Sequence, residues 1–149
     1  IISIISIALV AALAAATVYF GGAAFNKGSA GADASTFINA GQQVAGAFTL
    51  ASADGHTVTT VKKLTGDVTE TKGEVYLAQV PSYKGTDLAL DVTDTKYVKA
   101  TVSDLVCAEI NTRSAPGKAL AVESNVGLFG CAVDKTDAPK VWTAFYKVK

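Results

Sequence analysis

The chain has 149 residues, half of them apolar, with 13 basic and 13 acidic side chains and one histidine. That length suits a single domain with its own core. A formal net charge of zero argues against nucleic acid as a primary partner, because phosphate binding needs a basic patch, and Lys62-Lys63, the nearest thing to one, reads as a solvated strand face.

The charges are unevenly spread. From Ile1 to Asn26 there are none; Lys27 is the first and Asp33 the next. Residues 1–20 read IISIISIALVAALAAATVYF, and Gly21-Gly22-Ala23-Ala24-Phe25 extends the run. Twenty-five helical residues span about 37 Å, enough for a bilayer core of about 30 Å. Ser3, Ser6 and Thr17 can return their hydroxyls to the preceding helical turn. Three readings compete for this segment. A cleavable secretory signal would carry a basic leader and a shorter apolar stretch. A plain membrane anchor needs only length and hydropathy. A helix that packs against copies of itself needs small residues as well, and Ala8 to Ala24 holds eight alanines and two glycines. Composition favours the third.

Gly21, Gly22, Gly28 and Gly31 weaken a helix, which predicts a break between residues 21 and 32, with helix resuming at Asp33 or Ser35 as cap. Phe37, Gly41, Val44 and Phe48 then recur at helical spacing and form a stripe that packs onto a sheet. Asp54-Gly55 ends the helix. Beyond it the pattern turns to short β-branched runs: Thr57 to Leu64, Gly73 to Val80 and Val141 to Val148 are the main strand candidates, with Tyr97 to Thr101 and Ala119 to Glu123 behind them. Thr65-Gly66-Asp67, Pro81-Ser82 and Pro116-Gly117 supply turns. Ser103 to Arg113 reads as a short helix capped by Ser103 or Asp104, with Leu105, Val106 and Ile110 facing inward. Cys107 and Cys131, two cysteines after a membrane-directed segment, suggest one disulfide; two buried thiols are the alternative. The expectation is an α+β chain in two parts: an apolar helix over 1–26, and over 27–149 an amphipathic continuation with a small antiparallel β-rich head.

Chemistry is sparse. His56 follows the Asp54-Gly55 turn as a surface loop residue, and no nucleophile elbow accompanies it. Gly28-Ser29-Ala30-Gly31 lacks the Lys-Ser/Thr ending of a phosphate loop. Asp87, Asp91 and Asp94 match no calcium-loop spacing and read as turn-forming acids. The expectation is a chain that is not an enzyme, with no catalytic residues, cofactor or metal.

Taken together, the uncharged opening run, the continuation Phe37-Ile38-Asn39-Ala40-Gly41-Gln42-Gln43-Val44, the helix carrying Cys107, Gly130-Cys131 and the final VWTAFYKV resemble bacterial type IV pilins, more the type IVb branch than the type IVa one. The resemblance covers the whole chain as a layout and is only moderately specific as local sequence. It implies a structural filament subunit that polymerises through Ile1, Ile2, Ile4, Ile5, Ile7, Leu9, Val10, Leu13, Val18, Phe20 and Phe25, with Gly21, Gly22, Gly28 and Gly31 letting the helix unwind locally. Its implied partners are copies of itself, the inner membrane before assembly and a pilus assembly machinery, with an extracellular pilus as destination. A start inside the apolar run, with no methionine, fits a subunit clipped from its leader. One departure is plain: such pilins usually carry a glutamate at the fifth mature position, and here Ile5 stands there with no acid before Asp33. IISIISIALVAALAAA reads well as the stretch that follows such a glutamate. A type II secretion pseudopilin and a membrane-anchored periplasmic binding module are the alternatives.

Overall fold

The computed structural model describes residues 2–92, 94–114, 127–133 and 141–149. One helix, α1 (Ile2–Ala53), occupies the first third of the chain. At 1.5 Å per residue its 52 residues reach about 78 Å. The break expected at Gly21, Gly22, Gly28 and Gly31 does not occur, for α1 runs through all four. A glycine makes a helix costlier without forbidding its dihedrals, and extending an existing helix is far easier than starting a new one. Nor does helix have to resume at Asp33 or Ser35. The hydroxyls along α1 turn inward on it: Thr17 donates to the Ala14 carbonyl at 2.9 Å and Thr36 to that of Ala32 at 3.0 Å. The helix stops where expected. Gly55 takes a left-handed φ of 82°, and the His56 amide donates to the Ala51 carbonyl at 2.8 Å.

The next stretch departs from expectation. Thr57 to Leu64 forms no strand; Val61–Thr65 is a 3-10 turn closed by Gly66 at φ 110°. Val58, just before the turn, and Val61 and Leu64 within it are buried and recur every three positions, and three residues per turn is the 3-10 period. Gly73 to Val80 forms no strand either. Lys72 and Gly73 both have positive φ, and the Leu64 carbonyl takes the amides of both Tyr76 and Leu77, at 2.9 and 3.0 Å. This segment folds over the 3-10 turn instead of pairing in a ladder.

Two sheets follow. β1 (Ser82–Tyr83) and β2 (Thr86–Asp87) make a hairpin whose two-residue turn, Lys84-Gly85, has φ of 49° and 78°. β3 (Ala89–Leu90), β4 (Tyr97–Val102), β5 (Phe129–Val133) and β6 (Trp142–Lys147) form an antiparallel sheet in the order β3-β4-β6-β5. The strands expected around Tyr97 and Val141 are therefore present as β4 and β6, and they pair from Tyr97↔Lys147 to Val102↔Trp142. Ala119 to Glu123 and Pro116-Gly117 lie outside the described residues.

α2 (Asp104–Ser114) follows β4 directly. Ser103 caps it, its hydroxyl accepting the Val106 amide at 3.4 Å. Val106, Cys107 and Ile110 face the core, whereas Leu105 is 51 % exposed, against expectation. Three positions already fill the inward face, and the bonded Cys107 fixes which face that is. The disulfide joins Cys107 to Cys131 with Cα atoms 5.3 Å apart, tying α2 to β5. Asn111 reinforces the joint: its side-chain amide donates to the Cys131 carbonyl at 3.0 Å and accepts the Cys131 amide at 2.9 Å, standing in for a neighbouring strand at the free edge of β5.

The stripe on α1 meets this sheet as expected. Phe37 and Val44 are fully buried and Phe48 nearly so. Gly41 lies against the ring of Tyr146 so closely that a Cβ there would come within 2.4 Å of it. Any larger residue there would have to displace the ring.

Candidate functional site: the exposed half of the long helix

The head-packed part of α1 begins at Ala30; from Ile5 to Ser29 every residue is exposed. Ile7, Leu13, Val18, Phe20 and Phe25 are 60–76 % exposed, and Ile5, Leu9 and Val10 lie beside them. Tyr19 joins this surface, its ring edge-on to Phe20 at 5.5 Å. Eight of the residues expected to carry assembly thus stand together on the exposed half of α1. The side chains of Ile2 and Ile4, and all of Ile1, lie outside what the structure describes.

The geometry of this surface is as informative as its composition. Successive residues turn by about 100° around a helix, so relative to Ile5 the side chains of Leu9, Val10, Ile7 and Tyr19 stand at about 40°, 140°, 200° and 320°. The apolar surface therefore wraps the helix instead of forming a stripe, and a single groove would cover only one side of it. A window of α1 reaches a mean hydropathy of 1.9 with none of it buried, long and apolar enough to cross a membrane. Gly21, Gly22 and Gly28 have open space around them, so another helix can approach their backbone closely.

The head offers one polar cluster for comparison. His56 Nε2 lies 3.1 Å from Glu74 Oε2, and the Tyr76 hydroxyl lies 2.6 Å from Glu74 Oε2 and 2.9 Å from Asp54 Oδ2, its one proton shared between the two carboxylates. His56 sits in the loop after α1, as expected, but its side chain is only 9 % exposed. The Tyr76 hydroxyl holds the Glu74 carboxyl below its ordinary range, with His56 adding to the effect, and burial together with these two acids raises Tyr76. These contacts brace the end of α1 against the 66–77 segment. Asp91 accepts the Asp94 amide at 3.0 Å and pairs with Lys99 at 3.0 Å. Among the described residues no group of three His, Cys, Asp or Glu side chains is placed to hold a metal ion.

Four contributors escape a reading of the sequence. Arg113, the only arginine in the chain, reaches α1 from α2, and the hairpin residues Tyr83 and Lys84 reach it from the other side. Asn111 is the fourth, and nothing in its local sequence announces a partner twenty residues away. Comparison with protein-family models, with curated proteins and with solved structures finds no match.

Proposed function

We propose that the chain is a structural subunit of an extracellular filament similar to a type IV pilus, polymerising through the exposed half of α1. One observation carries the reading: a charge-free helix of more than twenty residues, apolar on all sides, projecting from a folded disulfide-closed head. At about 25 cal/mol per Å², hiding apolar surface on the order of a thousand Å² yields roughly 25 kcal/mol before ordering costs. A bundle of identical helices covers every side at once, and the alanines and glycines let the backbones come close. Before assembly the same surface suits lipid, with the inner membrane as its host and a pilus assembly machinery to extract it. The head, with its disulfide, is then the part that faces solvent outside the cell, and its role is structural, not catalytic.

The test is electron microscopy of material sheared from producing cells and labelled with antibody against the head. Labelled fibres are expected, and Leu13→Lys should abolish them while leaving the head folded and its disulfide intact. Antigen that stays wholly in the membrane fraction, with no fibres, would overturn the filament reading in favour of an anchored module.

A further inference from the structure

The exposed half of α1 leaves the head at one level, and there the helix is held from two sides. Ala30 is the first buried residue. From α2, Arg113 donates Nη2 to the Gly31 carbonyl at 3.1 Å and Nη1 to the Ser35 hydroxyl at 2.6 Å; Ser35 in turn donates to that same carbonyl at 2.9 Å. From the β1–β2 hairpin, Lys84 Nζ lies 2.8 Å from Asp33 Oδ2, and the Tyr83 ring stands edge-on to Phe37 with centroids 5.9 Å apart. Tyr83 is 3 % exposed, so the hairpin is seated on the helix and does not merely lie beside it. Residues two apart on an α-helix face about 200° apart. Asp33 and Phe37 therefore look away from Gly31 and Ser35, and the two grips close on α1 from opposite sides.

What lies on either side of this level gives the grip its consequence. Just outside are Gly21, Gly22 and Gly28, in open space, the residues that give up helix most readily. Just inside, α2 is joined to β5 by the Cys107–Cys131 disulfide and by the two hydrogen bonds of Asn111. Helix unwinding travels residue by residue until something else holds the backbone or its side chains. Passing Gly31 would release four helix residues in succession from two separate elements of the head.

The geometry points to a two-sided clasp, Arg113 with Gly31 and Ser35 on one face and Tyr83-Lys84 with Phe37 and Asp33 on the other, that halts unwinding of α1 at the edge of the head. A pull on the exposed half then passes through Arg113 into α2 and across the disulfide into β5, instead of peeling α1 off the sheet. The clasp does not depend on whether the exposed half meets lipid or copies of itself, so it can fail or hold independently of the filament reading.

Amide hydrogen exchange on the full chain in detergent micelles tests it. Lys84→Gln and Arg113→Gln should each speed exchange of residues 31–37 about tenfold, with a larger effect for the pair, while residues 44–51 and β6 keep their protection. Arg113→Lys, which keeps the charge but not the two-pronged grip, should recover only part of the loss. Unchanged exchange at 31–37 in the double variant would overturn the proposal. So would a rise shared equally by β6, since that would mark a general loss of stability. Should Arg113→Gln not fold, Lys84→Gln carries the same readout alone, its side chain being 56 % exposed.

Discussion

Within α1 the stretch from Ala30 to Ala53 and the stretch from Ile5 to Ser29 share one backbone conformation, but different things hold them in it. In the first, Phe37, Val44 and Phe48 are buried against the head and Gly41 is pressed onto Tyr146. Helix there is enforced by tertiary packing. In the second every described residue is exposed, and helix rests on local propensity, on self-satisfied hydroxyls such as that of Thr17, and on continuity with the packed half. Glycine exposes the difference. A side chain at Gly41 would push on its neighbour Tyr146, whereas Gly21, Gly22 and Gly28 have nothing within 4 Å. One half of the helix completes a domain; the other is exposed along its whole described length.

If the halves are independent in this way, breaking the head should leave the exposed half alone. The largest effect is expected for Cys107→Ser. The disulfide closes a loop with a sequence separation of 24 residues, worth roughly 3.5 kcal/mol in the chain-entropy model. Both cysteines are 1 % exposed, so the variant also leaves a polar hydroxyl in the core. Thermal unfolding in micelles should show the near-ultraviolet signal of the head shifted well down in temperature. Far-ultraviolet helicity from the exposed half should outlast it. Simultaneous loss of both signals would mean that the two halves are one cooperative unit.

A matched pair of glycine substitutions sharpens the same contrast at smaller magnitude. Gly41→Ala places a methyl group 2.4–2.7 Å from three atoms of Tyr146, and relieving such an overlap costs about 1–3 kcal/mol. Gly21→Ala meets nothing within 4 Å and should strengthen the helix by up to about 1 kcal/mol. The expected result is a lowered unfolding temperature of the head for the first. For the second, helicity should rise with the head unchanged. Equal effects of the two on the head would erase the distinction between the halves.

Much of this division is legible in the residues themselves. The absence of charge up to Asn26 marks the exposed half, and the 4-3-4 spacing of Phe37, Gly41, Val44 and Phe48 marks the packed one. β4, β6, α2 and the disulfide also follow local signals. The failures share a cause. The predicted break at Gly21 to Gly31 treated a propensity penalty as a prohibition, although an established helix extends cheaply across isolated glycines. Thr57 to Leu64 is rich in β-branched residues, but its buried positions fall every third residue, which a period-two reading overlooks. The clasp residues Arg113, Tyr83 and Lys84 act on α1 across 46 to 82 positions of sequence, and contacts of that range leave no trace in local pattern.

Acid gives the smallest effect and divides the molecule most cleanly. Between Ile2 and Asn26 there is no acid, base or histidine, whereas the segment after the 3-10 turn depends on carboxylates. Glu70 is held below its ordinary range by hydrogen bonds from the Lys63 ammonium and from the Thr59 amide and hydroxyl. Asp67 is held down by the Thr69 hydroxyl and by the amides of Glu70 and Thr69. A carboxyl lowered in the folded state stabilises fully above its unfolded value, about pH 4, and the contribution disappears as pH falls through the folded value. Both groups border solvent, so salt should shrink the effect. Glu70→Gln should therefore unfold at a lower temperature than the wild type at pH 6, and the gap should narrow as pH falls to 3. Over the same range the helicity of the exposed half should not change, because it has nothing to protonate. A parallel acid-induced loss of helix there would show that it leans on the head, and the contrast between the halves would have to be abandoned.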